Sequence, residues 1–501
     1  MKNQLRFYAI AILIIHYACS NREDFKISTE DYLQLEQTRI EVATVADSLR
    51  VPWELAYHMD KIFITEIEGT VKQLDIKNGH VKQILKLDNV FQQRTTGLLG
   101  MAIQRNAGAN PYVILNYTVK KGDKITSHLV RYRYENDSLL QPKILLEVKG
   151  NTAHNGTRLV ITDKNIIYWA TGDAYDFPTA QDSTSLNGKI LRLDLDGNIP
   201  LDNPIPNSYV YAWGFRNMQG LTLDSKGNIF TSEHGDAIED EVNLIRPLKN
   251  YGWPLIEGMH DLEADKHLAA RTDFTEPIKS WTPVIAPAGL AFYANNKIPE
   301  WNNSLVLATL KSQSLRILKL DQDHKSIVSE QVFFSNRYGR LRAVLVTPNG
   351  DIYLSTSNKD WNPQKGFPKT ADDRILRLRA VNNTSATNLL KEDKVDHAKK
   401  LDGLTLYKNY CASCHKENGL GLPGSFPPLK GSKRVMDNNS LIPILIKGLD
   451  GKKPIDGVSY GSLMPSFSFL KDEELLELTN YISTAFGNGS LVGIEKIREN
   501  R

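Results

Sequence analysis

The 501-residue sequence contains only three cysteines, Cys19, Cys411 and Cys414, so no disulfide framework holds the chain together and each cysteine needs its own explanation. Charge of one sign is also lacking. With 61 basic against 58 acidic residues the formal charge is +3, too little to attract a nucleic-acid backbone, and no nucleic-acid partner is expected. The N-terminal apolar stretch, Phe7 to Ile15, has nine residues, short of the about 20 a membrane-crossing helix needs. What is present, 41% hydrophobic and 24% charged residues, is the composition of a globular protein with room for a sizeable core.

The apolar stretch follows Lys2 and Arg6 and precedes His16-Tyr17-Ala18-Cys19, the layout of an export signal over residues 1–18. Its ending resembles a bacterial lipoprotein signal, in which the cysteine is lipidated and becomes the first mature residue. His16 and Tyr17 depart from the usual Leu and small residue, and an ordinary cleaved signal with an incidental cysteine is the alternative. The expectation is an exported bacterial protein, periplasmic or anchored to the outer membrane. It would touch a membrane only through Cys19, with residues 19–47 as a tether that begins with the polar run Ser20 to Asp24.

From 48 to 380 one pattern recurs: a turn with Asn, Gly or Asp, an alternating apolar run, a polar break and a second alternating run. Lys61–Thr65 leads to Val71–Asp75, Asn165–Trp169 to Lys189–Asp194, and Gly227–Thr231 to Glu241–Ile245. Ser304–Leu307 is followed by Arg316–Leu320, and Gly350–Leu354 by Arg374–Leu378. Period-2 alternation between turn signals predicts paired strands. Repetition without long amphipathic helices between copies predicts a β-propeller of about six blades, with a sandwich as the alternative.

Several loops carry polar clusters that strand building does not need. Asn151–Leu159 places His154 before an apolar strand, and Thr171-Gly172-Asp173-Ala174 follows that strand; a carboxylate that orients an imidazole can make it a general base. Further along come Tyr211–Leu221, Ser232-Glu233-His234-Gly235-Asp236, Asp240-Glu241-Val242-Asn243 and Asn250-Tyr251-Gly252-Trp253-Pro254. Together with Gly97–Gly100, Gly188–Arg192, Ala286–Leu290, Thr309–Lys311 and Arg340–Arg342, these segments resemble the soluble pyrroloquinoline-quinone (PQQ) dependent glucose dehydrogenases, or aldose sugar dehydrogenases, over residues 48–380. The resemblance implies a six-bladed propeller that binds PQQ and Ca²⁺ at its central opening and oxidises a sugar. By the same resemblance His154 is the base, Asp173 supports it and Arg216 stabilises charge on the cofactor. Asn217, Lys311, Arg340 and Arg342 contact the quinone, and the backbone carbonyls of Gly235 and Asp236 hold the calcium. Arginine forks and a lysine suit a tricarboxylate. Two departures stand out: Asp236 replaces the family's usual proline, and Thr95-Thr96 occupies the place of a substrate-contacting glutamine.

After Ala380 the pattern stops. Residues 381–396 read as a linker, and Cys411-Ala412-Ser413-Cys414-His415 has the spacing by which two thiols bond haem vinyl groups while the histidine binds iron. Met464, before the helical pattern Lys471–Phe486, is the favoured second axial ligand over Met436, which sits in a polar loop. The segment 397–490 looks like a small all-α class I cytochrome c, followed by a tail, 491–501. The expectation is a sugar dehydrogenase using PQQ, Ca²⁺ and haem c, which passes electrons to a downstream cytochrome or respiratory component. A carbohydrate-binding propeller and a Ca²⁺-dependent lactonase-type hydrolase, each fused to the cytochrome, are the rival readings.

Overall fold

In the computed structural model, five four-stranded antiparallel sheets and one six-stranded sheet repeat along the chain. The structure describes residues 27–236, 238–260, 263–382, 388–394, 402–449, 454–455, 457–458, 460 and 464–501. The export signal, Cys19 and parts of the expected linker lie outside these residues.

Blade one comprises Pro52–His58, Lys61–Glu66, Thr70–Asp75 and Val81–Lys86; blade two Leu98–Ile103, Tyr112–Lys121, Lys124–Glu135 and Ser138–Lys149. Blade three follows with Gly156–Ile161, Ile166–Thr171, Lys189–Asp194 and Val210–Trp213. Blade four has Met218–Leu223, Ile229–Glu233, Asp240–Ile245 and Lys279–Trp281, and blade five Pro287–Tyr293, Ser304–Thr309, Leu315–Leu320 and Ile327–Phe333. The first strand of each blade touches the first strand of the next, and that of blade six touches that of blade one, so the innermost strands form a closed ring. Every residue of Asp240–Ile245 and Ser304–Thr309 is buried. Middle strands are covered on both faces by neighbouring blades, which explains why apolar residues occupy both phases of the alternation there.

Blade six joins Leu341–Val346, Ile352–Thr356 and Ile375–Val381 to an N-terminal strand, Arg39–Ala46, which runs antiparallel to the last in register Arg39↔Val381. Ser28–Gln34 adds a further antiparallel strand, and Leu389–Leu390 pairs parallel to it through Tyr32↔Leu389. Residues 28–34 and 39–46 of the expected tether, and 389–390 of the expected linker, are therefore strands of this sheet. Leu33, Ile40 and Val42 are fully buried in the core shared by blades five and six, and that apolar surface outweighs the polar residues around it.

The C-terminal unit packs helices Gly403–Tyr410, Ala412–His415, Asn438–Lys447 and Asp472–Phe486 around Leu406, Leu441, Leu445, Leu475, Leu478 and Ile482. The first begins at Asp402, whose carboxylate accepts the Thr405 amide at 2.7 Å, the capping that a free helix end requires. The expected tail is also corrected. It contains a helix, Ile494–Arg498, that seats Ile497 in this core with no exposed surface. No described helix is long and apolar enough to cross a membrane.

Candidate active site and haem-attachment turn

His154 lies in the loop entering the innermost strand of blade three, with φ of 55°. Its carbonyl accepts the Ala174 amide at 2.9 Å. A Cβ on Gly172 would lie 2.1 Å from that carbonyl, so the Thr-Gly-Asp segment must have glycine at its centre. The approach brings His154 Nδ1 to 2.9 Å from Asp173 Oδ1. Asp173 also accepts the Tyr175 amide on Oδ1 and the Trp253 indole N–H on Oδ2, each at 2.8 Å. With both oxygens already accepting, the hydrogen between His154 and Asp173 belongs to Nδ1, which leaves Nε2 with its lone pair. Burial, and then the Arg216 cation, hold the His154 pKa below its ordinary value, against the pull of Asp173. The imidazole is therefore neutral and basic at Nε2. Tyr175 stacks obliquely at 4.4 Å between ring centres, and Phe177 packs edge-on to Trp253 at 5.2 Å.

Arg216 extends from the turn before blade four. It pairs with Asp236 Oδ1 at 2.8 Å, donates to the His234 carbonyl at 3.3 Å, and has its guanidinium 5.2 Å from the Trp253 ring. The carboxylate that replaces the family's proline is thus engaged with this arginine. Asn217 Oδ1 accepts the Gly156 amide at 3.3 Å and the Gln219 amide at 3.1 Å. Across the opening, Arg340 and Arg342 both reach Asp360, Arg340 at 3.4 Å, and Arg342 Nε donates to Ser357 at 2.8 Å. Arg158 pairs with Glu54, lies 4.1 Å from the Trp53 ring, and donates to the carbonyls of Gln219 and Arg342. Those carbonyl bonds join the two sides of the channel.

The structure therefore brings His154, Asp173, Arg216, Asn217, Arg340 and Arg342 to one end of the channel. Lys311 stands at the rim and donates to the Asn409 carbonyl of the C-terminal unit. Burial lowers its pKa, opposed by Asp240. Glu54, Asp236 and Asp360 form ion pairs with the four arginines, and the Nζ donors of Lys311 and Lys416 go to amide oxygens; Glu233, Glu241 and Glu257 lie beside Arg216, where burial raises the pKa of each. Arg216 Nε and Arg340 Nε are buried donors without a hydrogen-bond partner, and His234 Nε2 is an unpartnered buried acceptor, the ring being held neutral by burial. Unpartnered arginine donors in a buried opening fit an anionic ligand, because such groups are costly unless a ligand satisfies them. Gly235 and Asp236 adjoin this opening and offer backbone carbonyls, the hard oxygen donors that calcium accepts. No group of three or more His, Cys, Asp or Glu side chains forms a metal site among the described residues.

Trp253, Trp53, Glu54, Arg158 and Asp360 are site residues to which sequence reasoning gave no role. Trp253 stood in a quoted motif, whereas Asp360 and Glu54 have no local signature and are identified only by the arginines they meet.

In the C-terminal unit both thiols, buried Cys411 and half-buried Cys414, are free of a disulfide. His415 Nδ1 bonds the Pro427 carbonyl at 2.9 Å, which turns Nε2 outward as an axial ligand requires. Met464 packs against the core cluster that includes Cys411, whereas Met436 is 41% exposed. A cleft of about 1740 Å³ separates the blade-five rim from this unit and is lined in part by Lys311, Ser312, Ser413 and Lys416.

Residues 49–362 match the Glucose / Sorbosone dehydrogenase family, and residues 401–486 match Cytochrome c. Aldose sugar dehydrogenase YliI of Escherichia coli is 28% identical over 355 residues, 66% of this chain and 93% of that protein. The structure of the PQQ-bound aldose sugar dehydrogenase of Streptomyces coelicolor matches with a TM-score of 0.60 and 31% identity, covering 68% of this chain and 98% of that one. Cytochrome c-552 of Thermus thermophilus is 41% identical over 96 residues, 18% of this chain and 72% of that protein. The chain belongs to the glucose/sorbosone dehydrogenase family, its sugar-oxidoreductase propeller fused to a cytochrome c domain that carries haem.

Proposed function

We propose that the protein is an exported, PQQ-dependent aldose dehydrogenase that delivers its electrons to its own haem c and from there to a respiratory acceptor. The observation that carries the reading is the buried pairing of His154 with Asp173 beside the unpartnered N–H groups of Arg216 and Arg340. PQQ, when bound, supplies a two-electron hydride acceptor, and haem c supplies a one-electron carrier. Arg216, Asn217, Lys311, Arg340 and Arg342 would hold the quinone, and the Gly235 and Asp236 carbonyls would hold calcium. Cys411 and Cys414 would anchor the haem, with His415 and Met464 on its iron.

The chain's own part in the reaction is to move one proton. His154 Nε2 removes it from the anomeric hydroxyl as the hydride leaves carbon. Asp173 stabilises the imidazolium that results, and Trp253 and the Tyr175 amide keep the carboxylate from turning away. Arg216, held by Asp236 at 2.8 Å, would stabilise negative charge on a quinone bound beside it. The aromatic wall of Tyr175, Phe177 and Trp253 limits water around the imidazole.

The test adds PQQ and Ca²⁺ to haem-loaded protein, supplies a panel of aldoses, and follows haem absorbance together with an artificial dye. Reduction that requires both additions supports the assignment. Failure of every sugar to reduce either haem or dye overturns it in favour of a binding or hydrolytic propeller.

A further inference from the structure

The loop that follows the second strand of blade six continues past Asp360 directly to the cytochrome domain. Asn362, buried to 9% exposure, uses both ends of its amide on the haem-attachment turn. Its Nδ2 donates to the Ser413 carbonyl at 3.2 Å, and its Oδ1 accepts the Lys416 ammonium. Ser413 lies between the two haem-bonding cysteines, and Lys416 follows the iron-binding histidine. Trp361 packs against Phe426 at 6.0 Å between ring centres. Two further bonds flank the turn: Arg94 donates to the Gly424 carbonyl at 3.0 Å, and Lys311 donates to the Asn409 carbonyl. Three residues thus do two jobs in sequence. Asp360 pairs the arginines of the channel, while Trp361 and Asn362 grip the protein around the haem thiols.

We propose that Asn362, supported by Trp361, is the positioning residue that docks the haem-attachment turn over the propeller opening, so that electrons cross where Cys414 faces the channel. The inference rests on the sugar-dehydrogenase reading and adds to it the surface through which the two domains communicate. Oxidising one hydroxyl to a carbonyl releases two electrons and two protons. The haem iron takes one electron at a time, Fe(III) to Fe(II), and an external one-electron acceptor must empty it between the two; His154 takes one proton and solvent the other. Each crossing requires the docked arrangement. Ser413 contributes a backbone carbonyl, so the contact depends on the shape of the attachment turn and on an amide that donates and accepts at once, which Asn supplies and Asp does not.

Asn362→Ala and Trp361→Ala, in full-length protein carrying haem, test this. Dye-coupled sugar oxidation and the haem spectrum are expected to stay at wild-type values. Sugar-driven haem reduction in a single turnover is expected to slow at least about tenfold in Asn362→Ala, the factor that corresponds to losing about 1.4 kcal/mol of docking energy. Small-angle scattering of the same protein without PQQ is expected to show a larger maximum dimension. Asn362→Asp, which keeps size and one acceptor but loses the donor to Ser413, should behave like the alanine variant. Haem reduction at the wild-type rate in Asn362→Ala overturns the proposal. If wild-type protein oxidises no sugar with dye, the dehydrogenase reading fails instead, and scattering alone then decides the docking claim: unchanged dimensions in both variants overturn it.

Discussion

Replacing Asp173 with asparagine separates two things the carboxylate does for His154. In the structure Oδ1 accepts both the imidazole and the Tyr175 amide, while Oδ2 accepts only the Trp253 indole. An asparagine that turns its NH₂ toward Oδ1's partners would oppose two donors; turned the other way it opposes one. The second orientation wins, so His154 keeps its hydrogen on Nδ1 and its lone pair on Nε2, and Trp253 faces a donor in a site where Asp173 has no exposed surface. Loss of that one bond, with a buried N–H left unpaired, costs about 1–3 kcal/mol of stability. Rotamer and tautomer survive, yet the negative charge that stabilises the imidazolium is gone. The kcat/KM for sugar is expected to fall by about 10²–10⁴-fold, the usual share of general-base catalysis. The direction of the pH profile is also fixed. Asp173 raises the His154 pKa against burial and Arg216, so its removal lowers that pKa further, and the acidic limb of the dye-coupled rate moves to lower pH while the plateau drops. Activity within threefold of wild type, or an acidic limb that moves up, would refute the role assigned to the pair.

Three further outcomes follow from the geometry. Arg342→Ala leaves Asp360 with Arg340, at 3.4 Å, Ser357 and the Trp361 amide. Quinone affinity measured by titration of the PQQ-free protein is expected to fall about tenfold or more, since one charge-assisted hydrogen bond is worth about 1.5–3 kcal/mol, and thermal stability should fall as well; unchanged affinity would remove Arg342 from the cofactor site. Trp253→Phe keeps a ring against Phe177 and Arg216 but deletes the bond to Asp173, and should lower kcat more than it raises KM. Ile497→Ala, in the helix Ile494–Arg498, should destabilise the cytochrome unit by about 2–5 kcal/mol, read as an earlier loss of the haem Soret signal on heating, with the propeller transition unmoved.

The blades were legible in the sequence because each carries its pattern locally: Lys61–Thr65 and Val71–Asp75 alternate between turns and pair with each other. His154 and Asp173 were legible for the same reason, lying at the two ends of one hairpin. Contacts between remote segments were not. Arg39–Ala46 pairs with Ile375–Val381, and nothing within Arg39–Ala46 names that partner. Asp360 as counter-charge to two arginines, Asn362 as a clamp and Ile497 as a core residue share this property, for each is polar or isolated in sequence and acquires meaning only from what the fold sets against it. The tether was misread because Ser20 to Asp24 is polar, although Leu33, Ile40 and Val42 a few residues later have the burial of a central blade.

Because the sixth array is completed by a segment from the opposite end of the polypeptide, the torus stays open until synthesis has passed residue 381. Blades one to five are each built from one continuous stretch of chain, but the central well needs Arg340, Arg342 and Asp360 beside His154 and Arg216, and these meet only when the circle shuts. A prosthetic anion that enters the well bridges the earliest and latest parts of the ring, and by binding the shut form alone it stabilises that form in proportion to its concentration. Under the PQQ assignment proposed above, quinone supply would then set how long the circle, once shut, remains so.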